Sequence, residues 1–150
     1  MSDKYGMATG WAWWQTHADQ LMDAISRKSG CIPAVNAAAA TVTDTVGRAP
    51  DRLSITRVVL IPNTNYVYGG IYLVNRGTAG TANTGTLASK TASGATLTAG
   101  TPYTLTLSGT VTVAENEYLA FSRATANGTT ALQGCGFEIE WNLTDLLRPT

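Results

Sequence analysis

Charge is scarce in this sequence. Of 150 residues, 10 are Lys or Arg and 10 are Asp or Glu, a charged share of 13%, about half the usual value. The two signs cancel, so no general field draws the chain to nucleic acid or to an anionic membrane. The basic residues Arg48, Arg52, Arg57, Arg76, Lys90 and Arg123 are scattered and do not interleave with aromatics, which argues against a nucleic-acid partner. Histidine occurs once, as His17, so any Ser-His-Asp or Cys-His arrangement would have to pass through it. Its place beside an apolar stripe makes it a helix-surface or packed side chain. Cys31 and Cys135 are the only cysteines. They form no CxxC pair and, with one histidine, offer too few ligands for zinc. They could form one disulfide, but without secretion signals two reduced, buried thiols are the favoured reading. No apolar run is long enough to span a bilayer. The opening "MSDKYGMATGWAWWQTHADQ" lacks a continuous apolar segment, so no cleaved signal peptide is expected.

What is present divides the chain in two, residues 1–52 and 53–150. Residues 9–28 carry the one convincing helical pattern, with Trp14, Ala18, Leu21 and Ile25 on one stripe. Thr9 suits the N-cap, Arg27 and Lys28 the C-terminal dipole, and Gly30 the stop. Residues 31–52 read as an extended arm with a short strand at 41–46. From Leu53 onward the period is two. Strands are expected in "LSITRVVLIP", "GGIYLVNRG", "YTLTLS", "TVTV", "EYLAFSRA" and "GFEIEWNL", with weaker ones in "TLASKTASGATLTAG". The final strand should turn Phe137, Ile139 and Trp141 inward and Glu138, Glu140 and Asn142 outward. Short strands with turns every eight to twelve residues predict an all-β antiparallel sandwich or jelly roll, preceded by the helix and the arm.

Few groupings suggest chemistry. Glu138 and Glu140 share one strand face, about 7 Å apart, whereas paired-carboxylate glycosidases draw their acids from opposite walls of a cleft. Glu115, Asn116 and Glu117 in "AENE" supply too few oxygens for calcium. No GxGxxG opens a helix and no phosphate-binding GxxxxGK[ST] occurs. The expectation is no enzyme activity, no cofactor and no metal. The solvent side of the strands instead carries Thr and Ser. Threonine favours strand backbone, and its hydroxyl wets a surface without charge. Such a face is cheaper to desolvate than one of Lys or Glu. Trp11 and Trp13 lie off the helical stripe, and with Trp14 and Tyr5 they are the candidate protein-interface residues.

The run "SITRVVLIPNTNYVYGGIYLVNRGTAGTANTGTLASKTASGATLTAGTPYTLTLSGTVTVAENEYLAF", followed by "GTTALQGCGFEIEW", resembles the jelly-roll head decoration, or cement, proteins of tailed bacteriophages. In that family a strand ending in an aliphatic pair and Pro precedes a Thr/Asn/Tyr loop and a strand like "IYLVNRG". A Gly/Thr-rich segment and a strand pair with a Gly-Asp turn follow. This chain departs from the pattern at that turn, where Asn116 and Glu117 stand. The resemblance spans about residues 53–142. It implies a non-enzymatic homo-oligomeric virion protein, made in the host cytoplasm and carried on the capsid surface. Its partner would be the major capsid protein, whose neighbouring subunits it would bridge. Jelly rolls also occur in virion fibres, and Tyr66, Tyr68 and Tyr72 keep a receptor- or carbohydrate-binding module as the alternative.

Overall fold

The alternation that begins at Leu53 is realised as paired strands, and two more strands precede it. The computed structural model describes residues 26–34, 41–91, 94–125 and 134–143. In chain order these form β1 (Arg27–Ile32), β2 (Thr41–Arg48), β3 (Leu53–Pro62), β4 (Tyr66–Asn75), β5 (Gly85–Lys90) and β6 (Thr96–Leu97). There follow β7 (Tyr103–Thr104), β8 (Thr106–Leu107), β9 (Val111–Val113), β10 (Tyr118–Thr125) and β11 (Cys135–Leu143). The first sheet runs β1-β11-β3-β7, with β9 also on β3, and the second runs β2-β10-β4-β5-β8, with β6 also on β4. Both are antiparallel, and the described residues contain no helix.

The expected helix over 9–28 lies outside the described residues as far as residue 25. Its last turn is not helical: Arg27 and Lys28 belong to β1. Pairing overrides the capping signals there. β1 lies in register along β11 from Arg27 opposite Glu140 to Ile32 opposite Cys135, and the Trp141 N–H donates to the Ser26 carbonyl at 2.7 Å. Gly30 serves this pairing rather than a helix stop. A Cβ at that position would stand 2.9 Å from the Phe137 ring, so glycine lets the aromatic cross β1. The segment read as an arm is extended where described, and its strand runs slightly longer than expected, Thr41–Arg48, paired to β10.

The core lies between the sheets. Leu53, Val58, Leu60, Phe137 and Ile139 enter from the first, and Ile71, Leu73, Leu119 and Phe121 from the second. Phe121 and Phe137 meet with ring centroids 5.3 Å apart. Each such side chain contributes about 1.5–3 kcal/mol on burial. β3 explains why its sequence looks apolar on both faces. Its partner residues on β11 skip Thr56, so the buried positions change from Leu53 and Ile55 to Val58 and Leu60. A one-residue bulge of this kind reverses the parity of every later side chain.

"YTLTLS" is also divided. Tyr103 and Thr104 pair with the first sheet, Thr106 and Leu107 with the second. Leu105, between them, is buried and donates its N–H to the Val58 carbonyl. The chain therefore crosses the top of the core where one continuous strand was expected.

Candidate interaction surface

Register assigns each outward residue of the second sheet to a row across the strands, because directly opposed residues share a face. The central row is Thr43 on β2, Ser122 on β10, Tyr72 on β4, Ser89 on β5 and Thr106 on β8. One flanking row holds Thr45, Ala120, Val74 and Thr86, the other Thr41, Ala124 and Gly70. None of these side chains is charged, and Ser122, Ala120 and Val74 are already buried, so the solvent-facing part of the field lies on Thr41, Thr43, Thr45, Tyr72, Thr86, Ser89 and Thr106. Every side chain of the central row bears a hydroxyl. Tyr72 folds along its own strand over Gly70, where a Cβ would come within 2.7 Å of the phenol oxygen. The ring therefore stays low on the face. Charge begins at one border, where Arg48 pairs opposite Tyr118 and Arg76 reaches Thr45 Oγ1 at 3.4 Å.

The outer face of the first sheet is different in kind. Arg57 stands with Glu140 at 3.0 Å and Glu138 at 3.8 Å, and Arg27 is registered opposite Glu140. Opposite charges interleave on this face. Both glutamates do point outward, and Phe137, Ile139 and Trp141 are buried, as the alternation requires. A guanidinium bridges the two carboxylates, so they do not form an acid and base across a cleft.

The acidic corner "AENE" has a structural use. Glu117 Oε2 accepts from Asn75 Nδ2 at 2.6 Å and from the Ala114 N–H at 2.9 Å. Asn116 holds φ at 67°, and its N–H donates to the Ala49 carbonyl. Among the described residues no group of three metal-binding side chains occurs. Tyr68 is fully buried in the core, so the tyrosines of the "NYVYGGIY" segment do not share one loop surface. The phenol of Tyr103 is held below its ordinary pKa, chiefly by the Thr98 N–H donated to it, with Lys90 adding a smaller effect.

Neither cysteine forms a disulfide, and only Cys135 is buried; Cys31 is exposed, against expectation. β1 pairs Ile32 with Cys135 inward and Cys31 with Gly136 outward, so the thiols face opposite sides of the sheet. Trp11, Trp13, Trp14, Tyr5 and His17 lie outside the described residues.

Sequence reading missed one site. Arg123 is completely buried, and its Nη2 donates to Asp44 Oδ2 at 2.7 Å and to the Pro33 carbonyl at 2.8 Å. The available signal was parity, since Arg123 follows Leu119 and Phe121 on the inward side of β10. Its partner Asp44 is 79 residues away in sequence, and no local pattern links them.

No family model, curated protein or solved structure matches the chain.

Proposed function

We propose that this chain is a non-enzymatic structural protein of a bacteriophage virion. It decorates the outer surface of an icosahedral capsid, bridging major capsid subunits, and the outer face of its second sheet is the surface that becomes covered. The observation that carries this reading is the uncharged, hydroxyl-bearing field across five strands of that sheet. Four inter-strand gaps of about 4.8 Å and two row spacings of about 7 Å outline roughly 400 Å² with margins, to which the buried Ser122, Ala120 and Val74 add almost no accessible surface. A standard stable interface needs about 800 Å² per partner. One such face suits repeated contacts within a larger assembly, where linked weak contacts add through avidity, better than an isolated pair. The strand orders support a jelly roll, since the chain passes between the sheets as it winds from β1 to β4 and again from β7 to β11.

The test is to mix the purified protein with undecorated capsids. Saturable, stoichiometric binding and shells that break at a higher temperature are expected. Thr106→Lys places a charge at an exposed position of the central row and should abolish that binding, and no capsid binding by the parent protein at any concentration would end the proposal. Tyr72 supports the second reading, a carbohydrate-binding module, because an aromatic ring among hydroxyls can meet a sugar. A glycan array separates the two: a defined profile that Tyr72→Ala erases favours the sugar, and a flat one disposes of it.

A further inference from the structure

β1 and β2 are the outermost strands of their sheets on the same side of the sandwich. Between their outer edges, which no other described strand pairs, runs a groove of about 410 Å³, lined by Ile32, Val46 and Phe137 among apolar residues and by Lys28 and Asp44 among charged ones. Asp44 is engaged by Arg123. Lys28 is registered opposite Ile139 and so faces the interior side. Its Nζ leans over Gly47, where a Cβ would lie 2.8 Å away, and among the described residues it has no ion-pair partner. An ammonium beside an apolar trough and an unpaired sheet edge defines the occupant's chemistry. It must offer a carboxylate and, two residues away on the same side, an apolar side chain. A strand fits, and its main chain can pair with the open edge of β1.

The sequence after Leu143 reads "TDLLRPT". Asp145 and Leu147 would share one side of an extended segment. We propose that residues 144–150 of a second copy of this chain occupy the groove as a strand added parallel to β1, with Asp145 beside Lys28 and Leu147 beside Gly30 against the Phe137 ring. The chain's own tail cannot reach. Phe137 lies six residues back along β11, about 20 Å, while the four residues from Leu143 to Leu147 span at most about 14 Å. Lys28 also makes the edge selective, since an apolar strand without an acid would leave the ammonium buried and unpaired.

Sedimentation of the full-length protein over a range of concentrations tests this. Self-association should weaken roughly tenfold or more in Lys28→Glu and in Asp145→Lys, and return in the double charge swap. Asp145 follows the last described strand, and an unchanged circular dichroism spectrum and melting temperature of Asp145→Lys separate lost association from a misfolded body. A synthetic peptide of residues 143–150 should shift the NMR resonances of Lys28, Gly30 and Phe137 and compete with association. Single swaps without effect, a double swap without recovery, or a parent protein that stays monomeric while the peptide shifts nothing would each overturn the proposal. So would a peptide of residues 1–25 shifting these resonances in place of the tail. Capsid binding is read separately, so either idea can fail while the other stands.

Discussion

Replacing Asp44 by Ala asks how much the interior depends on one buried charge. The Arg123 side chain is 0% exposed and that of Asp44 21%, with 2.7 Å between Nη2 and Oδ2. Removing one partner of a buried pair typically costs 3–5 kcal/mol, because the other charge is left uncompensated. Two features reduce the figure here: Asp44 is partly open to water, and the Pro33 carbonyl still accepts from Nη2. A loss of about 3 kcal/mol follows, which for a chain of this length lowers the melting temperature by roughly 10 °C. Urea unfolding followed by circular dichroism measures it. Arg123→Met should cost far less than Asp44→Ala, since an apolar side chain of similar reach fills the space without a charge to satisfy. In the Asp44→Ala/Arg123→Met double variant the two losses should not add, giving a coupling of about 2 kcal/mol. An Asp44→Ala loss below about 1 kcal/mol, with additive losses in the pair, would refute a water-poor ion pair at this position.

Other substitutions separate the fold's supports. Gly30→Val should destabilise by about 1–3 kcal/mol in thermal melts, because the new side chain meets the Phe137 ring at 2.9 Å. Asn116→Ala should cost about 1 kcal/mol in urea unfolding, since alanine is strained at a φ of 67°, whereas Asn116→Gly should stay within about 0.5 kcal/mol. Glu117→Ala removes the acceptor for Asn75 Nδ2 and the Ala114 N–H, a loss of about 1–3 kcal/mol by the same assay. Arg57→Ala should shift stability by less than about 1 kcal/mol, because that side chain is 50% exposed.

The sequence revealed much of β3, β10 and β11 because burial on one face writes itself as alternation. "GFEIEWNL" placed three inward and three outward residues correctly on that rule alone. β1 was illegible for a physical reason. In "RKSGCI" only Ile32 is buried, so no alternation exists to detect, and the strand is held by its register with β11. The bulge at Thr56 and the sheet crossing at Leu105 share that origin, since partners distant in sequence impose them. The hydroxyl field was partly visible as a preference for Thr and Ser. Its concentration on one face was not, because Thr43, Ser122, Tyr72, Ser89 and Thr106 come from five separate strands and only pairing aligns them.

The contrast between the two outer faces bears on how copies of this chain can meet. A face that interleaves Arg27, Glu140, Arg57 and Glu138 is well solvated, and covering it would strip water from four charges. The second sheet's face asks for no such desolvation. The sheet edges are also not equally open. Inward-leaning charge on an edge strand discourages indiscriminate pairing, and lysines stand at both lateral openings: Lys28 on β1, and Lys90 on β5, whose Nζ lies 5.3 Å from the Tyr103 ring centroid. Lys90 is occupied by that ring, while Lys28 makes no ion pair among the described residues. Under the proposed association, contact would favour the neutral face and the β1 edge, whose lysine makes no ion pair among the described residues. If Lys28→Ile produced higher-order aggregates while Lys90→Ile did so equally, the two edges would be equivalent and this asymmetry would be void; size-exclusion chromatography with light scattering should instead show aggregation concentrated in the Lys28 variant.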